Sequence, residues 1–555
     1  MKPRLPTLLF WITITIQTLD SLASLAAPAA AGAPPGNLSW PDGQAFPHFA
    51  QPAATLDGIS TDDATMTRDE ATMFAVLQGL VNKQQPAIYL FSRGPQEKNK
   101  WLRALALKIN EYSANTKWKL VQKYKDLVKG VIVYSTQKSP HYRNLACTSA
   151  GLKDALPVTD DVYSKLISHG LKFPVLEDLR NLPYTKPEEI YKYLYDTYWK
   201  DCTKRLLISH AAANPACIRD IAAATGAAIV WLDPRESSQA KVLRLFLKDM
   251  KAGESVILGW WAKERAGIGI GTEYGISTVA ADFYENSTVL AGMSHDITPP
   301  PAPPKPRLEN KIYITIFLSD GDNLQYCQAA LANFWRNKAR GTIPVNWTIS
   351  PALADLGPGL LNYYYKTATP NDCLVSGPSG MGYLLPYDEL GDTWYNKGGE
   401  AFDAYAKLTG RYLEKSGLRV LTVWDRLTDA QRKSLAANCP CLYGVTQQDW
   451  GKTGRRVPAY REGARLAFFP IYPCYTSSVD EIIRKNRTAI TSYNGKKPVF
   501  IAVQCESWKM GLAGIAELKA RLDKVSKNFV FCRADHFFAL YNEANQMDPP
   551  GPSRQ

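Results

Sequence analysis

The stretch IYITIFLSDGDNLQY, residues 312–326, joins an apolar run to a cluster of polar residues. The run 312–318 predicts a fully buried strand, because its seven residues are all apolar, aromatic or β-branched. Asp320, Asp322 and Asn323 follow it directly, with one glycine between the two acids. Such a cluster after a buried strand is either a tight turn, since Asp, Asn and Gly favour turns, or the edge of a functional site.

The same pattern of short apolar runs recurs through the C-terminal half of the chain, with helical patterns between most of the runs. The other seven runs are 345–349, 373–375, 420–424, 442–445, 466–469, 499–503 and 529–531. Strands that alternate with helices favour a parallel sheet, and a region of this length suits a β/α barrel of the TIM type. An open doubly wound sheet is the alternative.

A proline-rich linker at 298–308, which contains PPPAPPKP, divides the chain into two regions, because such a run cannot join a helix or sheet interior. The N-terminal region, 40–297, alternates helical and strand patterns, which predicts an α/β layered domain. The C-terminal region, 309–545, is predicted to be the catalytic domain. The sequence GIGIG at 267–271 lacks the strand–turn–helix context of a dinucleotide site, so we interpret it as a loop.

The N-terminus predicts a secretory signal peptide over residues 1–30. Lys2 and Arg4 precede a short apolar stretch, and the small residues at 23–33 offer cleavage sites. An uncleaved membrane anchor is the competing interpretation. No later stretch is apolar for long enough to span a bilayer. We therefore expect a secreted, extracellular protein that has no membrane contact after signal cleavage.

Secretion makes the cysteines and the glycosylation motifs informative. The ten cysteines could pair as disulfides in an oxidising compartment, with their connectivity left open. Zinc ligation is disfavoured, because the chain has no CxxC pair and its six histidines are scattered. Four sequons, at Asn37, Asn286, Asn346 and Asn486, predict a glycoprotein, although Asn346 lies in a predicted strand.

The net charge of +13 does not indicate a nucleic-acid partner, because lysine and arginine are spread along the chain without a basic run interleaved with aromatics. Such a charge favours solubility, or weak attraction to acidic polymers such as wall polysaccharides.

Polar and aromatic residues follow several of the predicted strands, where a parallel barrel places its functional groups. Carboxylates and amides bind sugar hydroxyls, aromatic rings cover the C–H faces of a sugar, and glycosidic cleavage generally uses two carboxyl groups. The candidates at these strand ends are Asp320, Asp322, Asn323, Asp425, Gln504, Glu506, Trp508, Asp535 and His536.

We assign roles to the acids on this basis. Asp322 is the expected nucleophile or base and Glu506 the expected acid, while Asp320 and Asn323 orient them. Structural interpretations compete with these roles, since Asp535 could cap the last helix. A calcium loop is disfavoured, because Leu331 stands where a twelfth-position glutamate would be needed.

The stretch GMGYLLP at 380–386, with the SDGDN segment upstream, resembles the GxGYxYP family, described as putative glycoside hydrolases. Leu385 departs from the motif, which has tyrosine there. LQGLVN at 77–82 and PAIYL at 86–90 resemble the family's N-terminal domain, and so do Gly259-Trp260 and the later Ala-Asp-Phe segment 281–283. The resemblance implies a secreted two-part protein with a β/α C-terminal domain and a carbohydrate substrate, and it adds Gly382 and Tyr383 to the candidate substrate-binding residues.

Three hypotheses follow from these patterns. The first is a secreted glycoside hydrolase that needs no cofactor or metal and acts on an oligo- or polysaccharide. The second is a carbohydrate-binding protein without turnover. The third is a metal-dependent carbohydrate deacylase that uses Asp320, Asp322 and His536.

Overall fold

The computed structural model describes residues 38–61, 66–91, 95–385, 400–450 and 457–549. The predicted signal peptide, 1–30, lies outside these residues. Within them the chain forms three small sheets in the N-terminal region and one nine-stranded sheet in the C-terminal region. None of the described helices is both long enough and apolar enough to cross a membrane.

The N-terminal region contains three parallel sheets rather than the one layered domain that the sequence pattern predicts. Their orders are β2-β1-β3, β5-β4-β6 and β10-β9-β7-β8. The strands are β1 (Leu56–Ser60), β2 (Ile88–Phe91), β3 (Ile109–Tyr112), β4 (Gly130–Val133), β5 (Ala155–Val158), β6 (Val175–Asp178), β7 (Leu206–Ser209), β8 (Ala228–Val230), β9 (Val256–Gly259) and β10 (Thr278–Ala280). The α/β class is therefore confirmed for this region.

Helices connect these strands, and one of them corrects the sequence interpretation. They are α1 (Arg68–Asn82), α2 (Pro95–Ala104), α3 (Lys117–Lys123), α4 (Tyr142–Lys153), α5 (Asp160–Ser168), α6 (Pro187–Tyr198), α7 (Arg219–Thr225), α8 (Ser237–Lys248), α9 (Glu264–Thr272) and α10 (Ser287–Ala291). GIGIG lies inside α9, so the predicted loop is wrong. A Cβ on Gly267 would overlap the Trp261 ring, which explains a glycine inside this helix.

Each of the eight predicted apolar runs of the C-terminal region coincides with or overlaps a strand, although the run 442–445 shares only its last two residues with its strand. The strands are β11 (Ile312–Leu318), β12 (Val345–Ile349), β13 (Asp372–Ser376), β14 (Val420–Val423), β15 (Gly444–Gln448), β16 (Tyr460–Glu462), β17 (Leu466–Ile471), β18 (Val499–Cys505) and β19 (Phe529–Phe531). The additional strand, β16, pairs antiparallel with β17, and the other pairs in the sheet are parallel.

The large sheet curls so that its two sides approach each other. Its order is β16-β17-β15-β14-β13-β12-β11-β18, with β19 paired to β11. The backbone N–H groups of Tyr472 and Thr476, after β17, donate to the carbonyl oxygens of Ala502 and Gln504 in β18 at 2.9 and 3.0 Å. These contacts come from the segment that follows β17, and β17 and β18 as described share no ladder, so a closed TIM barrel is not confirmed.

The eighth predicted strand takes an unexpected position. β19 pairs with residues 312–314 of β11, while β12 pairs only with Phe317 and Leu318. Since β18 pairs along the whole opposite edge of β11, β19 lies between β11 and β12 at the amino end of the sheet. Asn346 holds this split open, because its amide donates to the Ile316 carbonyl at 2.8 Å and its oxygen accepts from the Ala534 N–H at 2.6 Å.

Helices follow most strands of this sheet. They are α11 (Leu324–Gln328), α12 (Ala330–Trp335), α13 (Leu353–Leu356), α14 (Pro358–Lys366), α15 (Glu400–Ser416), α16 (Asp429–Asn438), α17 (Val479–Lys485), α18 (Arg487–Thr491), α19 (Gly511–Val525) and α20 (Ala534–Ala544). The linker 298–308 forms neither helix nor strand. It is held against α20, where Lys305 pairs with Glu543 at 2.6 Å.

Two expectations drawn from secretion are not met by the folded chain. The described residues include all ten cysteines, and no disulfide joins them. The sequon residues Asn286, Asn346 and Asn486 are buried, and their amides donate hydrogen bonds to backbone carbonyls. The folded chain therefore does not present these three amides for glycosylation. Asn37 lies outside the described residues.

The loop after β11 leaves no space for a side chain at its glycine. A Cβ on Gly321 would overlap the Thr348 carbonyl oxygen. We expect Gly321→Ala to lower the free energy of unfolding by about 3 kcal/mol or more, the upper range for overpacking. Gly463→Ala is the matched control, because it has a positive φ and no neighbour within 4 Å, and should cost about 1 kcal/mol. Equal losses in denaturant titrations of the two variants would contradict this prediction.

Candidate active site

A cavity of about 430 Å³ lies at the carboxyl ends of the C-terminal strands. Its polar lining includes four carboxyl groups, from Glu264, Asp282, Asp320 and Asp322. Two of these acids follow β11 and the other two belong to the N-terminal region. The cavity is therefore built at the junction of the two regions.

Asp322 has the most strongly shifted pKa of the four acids in the cavity. Its side chain is 3% exposed, and neither carboxyl oxygen has a hydrogen-bond partner among the described residues. Burial raises its pKa to about 8, and the negative charges of Asp320 and Glu264 add to this shift. The nearby Tyr383 hydroxyl opposes the shift but falls short of a well-formed hydrogen bond. Asp322 therefore holds its proton at neutral pH.

Asp320 lies in a contrasting environment two residues away. Three hydroxyl groups donate to its carboxylate, from Ser319 at 2.6 Å, Ser507 at 3.0 Å and Tyr475 at 3.1 Å. Its backbone has φ 73°, a conformation that is uncommon for residues other than glycine and that frequently occurs at functional sites. The Asp320 side chain thus acts as the acceptor in all three hydrogen bonds, in contrast to the unpartnered side chain of Asp322.

The two acids from the N-terminal region, Glu264 and Asp282, were not among the site residues predicted from the sequence. Glu264 is the first residue of α9, and burial raises its pKa, with Arg265 opposing the shift and Asp320 adding to it. Asp282 follows β10, and burial raises its pKa although the Gln325 amide donates to it at 2.6 Å. The sequence carried a signal only for Asp282, which stands in the Ala-Asp-Phe segment 281–283.

Six aromatic side chains complete the walls of the cavity: Trp260, Phe283, Tyr383, Trp424, Trp450 and Tyr475. The Tyr383 ring packs edge-on between Trp260 and Trp424, with ring centroids 5.2 and 5.3 Å apart. The Tyr383 backbone bonds to Thr278 of β10 in both directions, at 2.7 and 3.0 Å. Tyr383 therefore joins the two regions at the wall of the cavity.

An ion pair also crosses this junction. The Arg265 guanidinium donates to Asp425 at 3.1 Å and lies over the Trp424 ring, 4.9 Å from its centroid. Asp425 is fully buried and does not line the cavity. Through Arg265 it orients α9, the helix that also carries Glu264.

The structure gathers five of the predicted site residues in the cavity wall: Asp320, Asp322, Asn323, Tyr383 and Gln504. Gly382 lies just behind the wall, with φ 82° and no space for a Cβ beside the Thr278 carbonyl. Glu506 is not in the wall and pairs with Lys509 at 3.0 Å. Trp508 lies outside the wall and packs on Tyr326.

Asp535 and His536 lie away from the cavity, contrary to expectation. Asp535 pairs with Arg533 at 2.6 Å, and Arg533 donates at 2.8 Å to the carbonyl of Asp372, the first residue of β13. The His536 Nε2 contacts the Pro303 carbonyl of the linker at 2.8 Å. Both residues therefore lie at the amino end of the sheet, because the short β19 reaches only halfway along β11.

The metal-dependent deacylase hypothesis is disfavoured for this reason, since His536 lies too far from Asp320 and Asp322 to share one metal site with them. Among the described residues, one group of three side chains could surround a metal ion: His48, His295 and Asp355. Lys415 and Tyr412 already bind the Asp355 carboxylate. This group is not part of the cavity wall.

The raised pKa of Asp322 has a consequence for stability. Because the folded chain holds this proton and the unfolded chain releases it near pH 4, the contribution to stability falls as the pH rises from about 4 to about 8. Asp322→Asn cannot ionise and should become more stable than the wild type over this window, by about 1.4 kcal/mol for each pH unit. Denaturant titrations at several pH values measure this difference, with the exposed Asp42→Asn as control. A difference that does not change with pH would contradict the burial of the charge.

Known proteins resemble this chain along most of its length. The family model described as the GxGYxYP putative glycoside hydrolase C-terminal domain matches residues 310–542. Models of the first, second and third N-terminal domains of that family match residues 59–126, 128–202 and 204–292. These three ranges coincide with the three small sheets. No curated protein matches the chain in sequence.

Of two solved structures that align with the chain, one has a similar fold. A putative hydrolase from Bacteroides thetaiotaomicron VPI-5482 aligns with a TM-score of 0.75 and 21% identity, over 91% of this chain and 97% of its own. A putative polysaccharide deacetylase from Mycobacterium smegmatis aligns with a TM-score of only 0.30 and 11% identity, over 47% of this chain and 99% of its own. With family models matched across both regions, the chain belongs to the GxGYxYP family.

Proposed function

We propose that the protein is a secreted glycoside hydrolase that uses Asp322 as its general acid. The observation that carries this proposal is a pair of neighbouring carboxyl groups in contrasting environments. Buried Asp322, whose pKa is raised to about 8, holds a proton, while Asp320 accepts hydrogen bonds from three hydroxyls. Environments that separate two acids in this way assign one as the acid and the other as the base or nucleophile.

These roles differ from the ones expected from sequence. Asp322 donates its proton to the glycosidic oxygen as the bond from that oxygen to the anomeric carbon breaks. Asp320 faces the positive charge that develops on the sugar, either as the nucleophile or as the base that deprotonates water. Glu506 is no longer the preferred acid, because Lys509 pairs with it outside the cavity wall.

The cavity also offers what a sugar ring requires for recognition. Gln448 donates to Gln504 at 2.6 Å, and this leaves the Gln448 oxygen and the Gln504 nitrogen without partners among the described residues. The Asn323 side-chain oxygen is likewise unpartnered there. Buried amides in this state favour a ligand with hydroxyl groups, which would satisfy them. The aromatic walls offer apolar faces for its C–H groups.

The position of the cavity supports the β/α barrel interpretation of the catalytic domain, since barrels place their sites at the carboxyl ends of the strands. We retain secretion as part of the proposal on the basis of the pattern in residues 1–30.

Substitution of Asp322 tests the proposal. We expect wild type to release product from at least one member of a neutral glycan library, and Asp322→Asn to lose about 100-fold or more of that rate while still binding the glycan. Glu506→Gln is the matched control and should keep most of the activity. The wild-type rate should fall as the pH rises through about 8, where the Asp322 proton is lost. Binding without product release by the wild type would favour a carbohydrate-binding protein instead.

The charge of the cavity predicts which sugars it accepts. Its described lining residues include four carboxyl groups and no lysine, arginine or histidine, although the whole chain carries a net charge of +13. A uronic acid or sulfated sugar would bring its negative charge beside these acidic groups, with no cation in the described wall to pair with it. We expect neutral or amine-bearing oligosaccharides to bind at least about tenfold more tightly than anionic ones of the same length. Calorimetry with matched pairs measures this ratio, and a preference for the anionic member would contradict it.

A further inference from the structure

The most exposed aromatic side chains of the described residues lie in the cavity wall or directly follow a residue that contacts it. Three large aromatic side chains are more than a third exposed: Tyr475 (40%), Phe283 (52%) and Trp508 (58%). Phe283 and Tyr475 line the cavity. Trp508 directly follows Ser507, whose hydroxyl donates to Asp320. The distribution of these rings is therefore tied to the site.

Trp508 is held in place from below while much of its side chain remains exposed. Its indole ring packs edge-on against Tyr326 of α11, with ring centroids 5.2 Å apart. Tyr326 packs in turn against Phe334, 6.3 Å away. Burial of the core does not account for Trp508, because more than half of the side chain is exposed. Concentrated exposed apolar surface of this kind marks an interaction site.

Helix α11 connects Trp508 to Phe283. Gln325, next to Tyr326 on this helix, donates to Asp282, the residue before Phe283. The Tyr475 hydroxyl donates to Asp320, which also accepts from Ser507, the residue before Trp508. Each of the three rings is therefore tied by a short chain of contacts to Asp282 or Asp320 of the cavity wall.

This combination of exposed rings and neighbouring acids fits a carbohydrate better than a protein surface. The centre of a protein interface is depleted in charged residues, whereas acids accompany the rings here. A sugar has both kinds of surface, since its C–H faces cover aromatic rings and its hydroxyls bind carboxylates. Two of the three rings also line the cavity, so one chain of sugars could extend from the cavity onto the third ring.

We propose that Trp508, Phe283 and Tyr475 form an outer subsite that binds further sugar units of an oligo- or polysaccharide whose cleaved unit lies in the cavity. The proposal rests on the proposed function for the identity of the ligand in the cavity. The outer subsite gives the protein a preference for longer chains, because each additional unit covers an exposed ring.

The test measures binding separately from cleavage. Asp322→Asn serves as the background, and cello-, xylo-, manno- and chito-oligosaccharides of two and of six units serve as the probes. We expect six-unit chains of the recognised series to bind at least about tenfold more tightly than two-unit chains, since the added units bury exposed aromatic surface. Adding Trp508→Ala should remove about tenfold of affinity for the longer chain and leave the shorter chain within about twofold.

Two control variants separate the subsite from a structural role. Trp508→Phe keeps a ring and should retain most of the preference for length. Val525→Ala, at the far end of α19 and also strongly exposed, should change nothing. Equal loss of affinity for both lengths in Trp508→Ala would mean that Trp508 only supports Tyr326, and would overturn the proposal, as would no loss or no binding of any chain.

The outcomes also distinguish the subsite from the proposed function. Length-dependent binding that depends on Trp508, together with no cleavage by the wild type, would confirm the outer subsite and reject the hydrolase. Cleavage by the wild type at rates that do not depend on chain length or on Trp508 would confirm the hydrolase and reject the outer subsite.

Discussion

The close packing of three strand ends around Asp322 is the constraint on which the candidate site depends. A Cβ on Gly321 would overlap the Thr348 carbonyl, and a Cβ on Gly377 would overlap the Asp322 side chain itself. The two glycines allow the segments that follow β11 and β13 to approach closely, beside the end of β12. Water is thereby excluded from the Asp322 carboxyl. Because no partner compensates for the desolvation of a negative charge there, the pKa of the group is raised and it stays protonated.

The second requirement is a fixed orientation of the N-terminal region against the large sheet. The hydrogen bonds between Tyr383 and Thr278 and the ion pair between Arg265 and Asp425 both cross this junction. Asp425 is fully buried, so its pairing with Arg265 provides orientation more than net stability, because desolvation offsets much of the attraction. Through this junction Glu264 and Asp282 reach a cavity whose other acids follow β11. A role for the N-terminal region in completing the site follows from this arrangement.

The local sequence pattern was sufficient to predict the strands that are buried on both faces of the sheet. The eight C-terminal runs became strands because parallel strands covered by helices are continuous apolar segments, and such segments are visible in the sequence. The GIGIG segment was misinterpreted because glycine-rich sequences usually break helices. Tertiary contacts explain two of its glycines, since a Cβ on Gly267 would overlap the Trp261 ring and a Cβ on Gly271 would overlap the Ile276 carbonyl oxygen. The predicted positions of Asp535 and His536 in the site were wrong, because the pairing of a strand within a sheet cannot be read from the local sequence. The place of β19 beside β11 depends on Asn346, almost two hundred residues earlier in the chain.

The sequence by itself determined the α/β class, the family, the strands that lead to the cavity and five of the residues that line it: Asp320, Asp322, Asn323, Tyr383 and Gln504. These features follow from short segments whose periodicity and composition are readable without long-range contacts. Only the tertiary structure decided which acid holds the proton and that Glu264 and Asp282 share the cavity with the others. The physical reason is that a pKa depends on burial and on neighbouring charges, and both are supplied here by residues distant in the chain.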